Sequence, residues 1–179
     1  MKYPDAPKRW IACCTLACAV LMAGSAMGAS PAQFVVEATE AGHAEIENSR
    51  LAITQSSSTD INSYAVEMIK DHTDANRELK AIAEKNNWPV ATESEITDKI
   101  KKLLLEVQQG DSFDAAYVAN QIKAHSEAIE RFKAQARDPS SPELQAFAKQ
   151  YLPKLELHLE MAKKLELTHH KGATGSSGQ

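Results

Sequence analysis

The chain's apolar residues fall on four heptad-like stripes, each with one polar residue where a core position is expected. In the second stripe Ile61, Ala65, Met68, Ala75, Leu79 and Ile82 keep a 4-3-4-3 spacing only if His72 is counted with them. A helix with that period therefore turns an imidazole toward its apolar face. The third stripe, Ala115, Val118, Ile122, His125, Ile129, Phe132 and Ala136, and the fourth, Leu144, Ala148, Tyr151, Leu155, His158, Ala162 and Leu165, each carry one histidine. The first, Phe34, Ala38, Ala41, Glu45, Asn48 and Ala52, carries a carboxylate instead.

Capping signals bound these stripes. Ser30-Pro31-Ala32-Gln33 pairs a serine cap with a first-turn proline and starts a helix that runs to about Gln55. Ser56-Ser57-Ser58-Thr59 breaks it and opens a second, which ends at Asn87 before Trp88-Pro89. Thr92-Glu93-Ser94-Glu95 opens a shorter amphipathic helix carrying Ile96, Ile100, Leu103 and Val107, and Gly110 closes it. A third long helix starts near Asp111 to Asp114 and ends before Asp138-Pro139; a fourth runs from Ser141-Pro142 to about Thr168. Pro153 is expected to kink or divide this last helix. Short turns make neighbours antiparallel, and the intervening short helix is long enough to carry the chain back along the bundle. The predicted fold is all-α: a ferritin-like four-helix bundle with an additional short crossover helix between the second and third long helices.

Residues 1–28 read as a secretory signal: Lys2, Lys8 and Arg9 precede an apolar run from Trp10 to Ala23, with small residues at Ala26 and Gly28. A retained anchor and a lipoprotein signal ending at Cys18 are the competing readings. Residues 29–170 then form the bundle, and 171–179 a disordered tail with His169 and His170 at an exposed end. The mature chain is expected in the periplasm, with no transmembrane span; outer-membrane association is not indicated by its sequence. All three cysteines, Cys13, Cys14 and Cys18, lie in the signal, so disulfides, thiolate sites and cysteine nucleophiles are excluded from the mature chain. Loss of Lys2, Lys8, Arg9 and Asp5 leaves 17 basic against 23 acidic residues, a net charge of −6, which argues against nucleic acid as a partner.

The four polar interruptions sit near the middle of their helices, and mid-helix positions share one layer of a bundle whichever way each helix runs. Glu45, His72, His125 and His158 are therefore the candidate ligands of one transition-metal ion, Zn²⁺, Cu²⁺, Fe²⁺ or Mn²⁺. Asp71, Asn48 and Tyr151 are near enough to be outer partners. A structural alternative uses the same residues without metal, as a buried hydrogen-bond network in which Glu45 satisfies the imidazoles. A di-iron centre needs two Glu-x-x-His motifs, and only Glu40 to His43 is present, off the core stripe. Covalent haem is excluded with the cysteines, and non-covalent haem between two histidines is a further alternative. Phosphate loops, a nucleophile elbow and a zinc-protease motif are absent from the sequence. A binding or stress-related role is favoured over an enzymatic one.

Several short motifs carry a family resemblance: Phe34 to Leu51 with Gly42 and Glu45, Met68-Ile69-Lys70-Asp71-His72-Thr73 with Asn76-Arg77-Glu78-Leu79, Phe113-Asp114-Ala115-Ala116-Tyr117, His125 with Phe132, and Leu152-Pro153-Lys154-Leu155 with His158-Leu159. Over residues 32–166 the chain resembles the bacterial exported family catalogued as domain of unknown function 4142, whose members are often labelled predicted outer-membrane proteins. The resemblance implies a ferritin-like helical bundle and an exported protein, with no settled activity. His43 stands where the resemblance implies an apolar or small residue.

Overall fold

In a computed structural model, residues 30–92 and 113–169 are described. They form four helices: α1 (Pro31–Gln55), α2 (Thr59–Asn86), α3 (Phe113–Arg137) and α4 (Pro142–Thr168). The starts of α1 and α4 follow the capping logic of the sequence. Gln33 N donates to Ser30 Oγ at 3.2 Å and Leu144 N to Ser141 Oγ at 3.4 Å, with a proline in each first turn. Ser58 flanks α2 differently: its hydroxyl donates to Asp114 at 3.1 Å and ties the start of α2 to the start of α3. Asn87 ends α2 in the left-handed conformation, φ 54°, while Trp88 N reaches back to Ala83 O at 2.9 Å. Pro153 does not divide α4, which is continuous through it.

Cross-helix contacts settle the helix directions. Phe34 at the start of α1 meets Phe132 at the end of α3, and Ser49 near the end of α1 meets Tyr117 near the start of α3. Lys85 at the end of α2 pairs with Glu143 at the start of α4, and Asp71 pairs with Lys154 and His158 farther along. Each helix is thus antiparallel to its packed neighbours, α1 to α2 and α3, and α4 to α2 and α3. The end of α2 and the start of α3 lie at opposite ends of the bundle, the arrangement of helices expected for a one-crossover bundle. The short helix expected over residues 92–110 falls almost wholly outside the described residues, as do the signal and the tail. His169 differs from expectation. It is half-buried, with Nε2 3.0 Å from Asp60 and Nδ1 3.7 Å from Asp114, and so pins the end of α4 rather than projecting freely.

The core is divided. One apolar half gathers Phe34, Val35, Leu79, Phe132, Leu144 and Phe147; the other gathers Ala52, Ile61, Met68, Tyr64, Val118 and Leu165. Between them lies a polar layer that includes Glu45, Asp71, Gln121, His125 and His158, each no more than 7% exposed. No helix among the described residues is long and apolar enough to cross a membrane.

Candidate metal centre

Three helices bring His72, His125 and His158 into one triangle. Ring centroids are 5.6 Å apart for His72 and His125, 5.7 Å for His72 and His158, and 5.3 Å for His125 and His158. One ring nitrogen from each lies within 4.8 Å of those of the other two. Zn–N bonds of about 2.0–2.1 Å at tetrahedral angles place ligand nitrogens about 3.3 Å apart, so nitrogens that lie within 4.8 Å of one another close by up to about 1.5 Å to share an ion. His125 and His158 are buried; His72 is half-buried as a residue, with its Nε2 sealed from solvent.

Hydrogen bonding decides which nitrogens are free. His125 Nδ1 lies 3.0 Å from the Gln121 carbonyl, which only accepts, so Nδ1 carries the proton and Nε2 keeps its lone pair. His158 Nε2 lies 3.2 Å from Asp71 Oδ2. Burial pushes the Asp71 carboxyl up, but Lys154 at 2.8 Å, Lys70 at 3.2 Å and His158 outweigh it and hold the group at about 2. Asp71 is therefore an anion at neutral pH, His158 Nε2 donates to it, and Nδ1 keeps its lone pair. The nitrogens left over, His125 Nε2, His158 Nδ1 and His72 Nε2, are buried without a protein partner. Three such orphans in one place are costly, because a buried polar atom without a partner loses its hydration uncompensated. An imidazole fixed by a carboxylate or carbonyl on one nitrogen and open on the other is the usual state of a metal-binding histidine.

Electrostatics keep these rings neutral. Burial lowers His72 well below the usual imidazole range, with His125 and His158 adding to the effect. Burial also brings His125 down to about 4, aided by His158 and opposed by its bond to Gln121. His158 is lowered by burial against the opposing pull of Asp71. Neutral imidazoles are the form a metal requires.

Glu45 is not drawn into the triangle. Its carboxylate atoms are not among those within 4.8 Å of the three imidazoles; Glu45 Oε2 instead accepts from Gln121 Nε2 at 2.6 Å. Burial raises the Glu45 carboxyl to about 7, the Gln121 bond opposing. Gln121 is the hub that sequence reasoning missed. Fully buried on α3, it offers its backbone carbonyl to His125, its amide to Glu45, and its side-chain oxygen to the Tyr64 hydroxyl at 3.0 Å. It lies one turn before His125, a spacing that could have flagged it. Of the outer partners expected, Asp71 serves His158, Tyr151 instead donates to Glu78 at 3.0 Å, and Asn48 is half-buried. His43 lines a separate surface groove with Arg50, Arg77 and Lys80.

Next to the triangle, on the side of the Phe132 and Phe147 core, is a cavity bordered by His72, His158, Asp71, Arg131 and Lys154 and walled by Ala38, Ala128 and Leu155. The space open to the centre of a water molecule is about 40 Å³.

Fold and site together define an antiparallel four-helix bundle whose core is interrupted by a buried three-histidine cluster. The chain belongs to the family described as Domain of unknown function (DUF4142), whose model matches residues 17–165. Neither the curated proteins nor the solved structures compared with it gave a match.

Proposed function

We propose that this protein binds one divalent transition-metal ion through His72, His125 and His158. The observation that carries the reading is the convergence of three histidines, one ring nitrogen of each within 4.8 Å of the others, on rings that each keep a buried nitrogen without a protein partner; on two of them the other nitrogen is held by Gln121 or Asp71. The buried network of Glu45, Gln121 and Tyr64 reaches His125 through the Gln121 carbonyl and leaves these nitrogens without a protein partner. All-imidazole donors favour Zn²⁺ and Cu²⁺ over Mn²⁺. Glu45, which the sequence suggested as a fourth ligand, acts in this reading at one remove: its bond to Gln121 holds the residue that orients His125. Residues 1–28 act as a secretory signal in the same reading, on the strength of their basic start and apolar run, and the bundle works in the periplasm.

The test is elemental analysis of untagged protein purified from periplasm without chelator, beside His125→Ala and His43→Ala. About one ion per chain is expected in the parent and in His43→Ala, and none in His125→Ala. Protein that carries no metal and takes up none of Zn²⁺, Cu²⁺, Fe²⁺ or Mn²⁺ on titration would falsify the site. Mass spectrometry of the same periplasmic sample reads the mature N-terminus, expected after Gly28; an uncleaved chain overturns the signal.

A further inference from the structure

We propose that the ion held by the three histidines takes a small inorganic anion as its fourth ligand, admitted through the cavity that His72 and His158 border. The inference rests on the metal reading above and adds what the site is open to. Three imidazoles fill three positions of a tetrahedral ion and leave the fourth for a water or an exogenous ligand. His72 and His158 border the cavity with other parts of their rings, the unpartnered nitrogens being sealed from solvent, and the fourth position of an ion they hold is assigned to that side.

Charge selects the occupant. Neutral imidazoles leave both positive charges of the ion uncompensated, a costly state in a buried site. The carboxylate bordering the cavity, Asp71, is already engaged by Lys154 at 2.8 Å, Lys70 at 3.2 Å and His158 at 3.2 Å. Arg131, the other cation on the cavity wall, has its Nε on Glu37 at 3.1 Å, and Glu37 is not part of that wall. Glu45 does not border the space, and neither does Glu67, whose carboxylate lies within 4.8 Å of Asp71 and of a His158 ring nitrogen. The unmet charge therefore calls for an anion from outside. Size narrows the class: about 40 Å³ is open to the centre of a water molecule, and Asn76, Arg131 and Lys154 stand among the apolar side chains of the wall. A compact inorganic monoanion is the class that suits a space of that size.

The probe is sodium azide, added to the mature protein loaded with Co²⁺, whose visible absorption reports coordination directly. Saturable change of the Co²⁺ bands is expected in the parent. Ala38→Leu fills the cavity from α1, the helix that supplies none of the three histidines. It should keep one Co²⁺ per chain while weakening azide binding by about tenfold or more, the scale on which a pocket discriminates added methylenes. Ala41→Leu, also on the cavity wall, repeats the test should the first variant fail to fold. Failure to bind Co²⁺ at all overturns the metal reading itself. Bound Co²⁺ whose spectrum ignores azide overturns the anion and leaves the metal standing. Equal azide affinity in the parent and a folded, Co²⁺-loaded cavity variant overturns the cavity as its route.

Discussion

Replacing His125 by leucine should make the metal-free protein more stable and the metal-treated protein comparatively less so. The ring is 1% exposed, its Nε2 has no protein partner, and its Nδ1 donates to the Gln121 carbonyl. Leucine is of similar size, so the cavity left is small. It removes an orphaned buried nitrogen costing about 1–3 kcal/mol and gives up a hydrogen bond worth about 0.5–1.5 kcal/mol, a net gain of about 1 kcal/mol. For a domain of this size that raises Tm by about 2–4 °C. Zinc reverses the order. At a hundredfold excess over its Kd, the ion stabilises the parent by about 2.7 kcal/mol. The variant, with one ligand gone, gains little, and the parent leads by about 1–2 kcal/mol. Acid widens the metal-free gap. A folded-state value near 4 for His125, below the unfolded imidazole's, means that the unfolded chain takes up a proton that the folded protein refuses. Stability is therefore lost from about pH 6.5 down to about 4, on the order of 3 kcal/mol for this ring, and the variant escapes that share. The assay is urea unfolding followed by circular dichroism, in EDTA and in excess Zn²⁺, at pH 7.5 and pH 5. A variant clearly less stable than the parent in EDTA, or one that responds to zinc as the parent does, would refute the reasoning: the ring would then be structural.

Three further outcomes follow from the same geometry. Asp71→Asn removes the carboxylate that fixes the His158 tautomer, and zinc affinity should fall about 10- to 100-fold, read by chelator competition; unchanged affinity would show that His158 needs no such partner. Glu45→Gln should leave metal stoichiometry intact and stabilise the fold increasingly with pH. The parent carboxyl, raised to about 7, keeps its proton in the folded state after the unfolded chain has lost it. Stability is thus lost between about pH 4.5 and 7, by up to about 3 kcal/mol; a difference between parent and variant that stays flat across that range contradicts the burial argument. Gly42→Ala should destabilise by about 1–2 kcal/mol, overpacking set against helix propensity, because the added methyl would overlap Asn76 Oδ1 and lie 2.8 Å from its Cγ. Urea unfolding no weaker than the parent's would mean that Asn76 swings aside.

Much of the fold was legible because it is written in local terms. A serine cap followed by proline binds its own backbone at Ser30 and Ser141 whatever the rest of the chain does. A heptad stripe declares one face of one helix, and the α4 stripe from Leu144 to Leu165 is buried at every position. The three histidines were visible for the same reason: each interrupts a stripe near the middle of its helix, and a bundle places such positions in one layer.

What remained hidden depends on how helices turn about their own axes once packed. On α1 the buried face takes in Val35, Thr39, Gly42, Ile46 and Ser49, while Ala41 and Asn48 are only half-buried. A strict heptad drifts against 3.6 residues per turn, and packing settles the difference. That rotation puts the Glu45 carboxyl on the Gln121 amide. Gln121, Tyr64 and Asp71 carry no stripe signal of their own and become a buried network only through their neighbours on other helices. The sequence by itself determined the helices, their caps and the histidine on each of three stripes, because those follow from backbone geometry and periodicity. Which ring nitrogens carry protons, which lie bare, and what space they border were decided by the tertiary structure, since a hydrogen bond between helices requires distances that no single stretch of chain specifies.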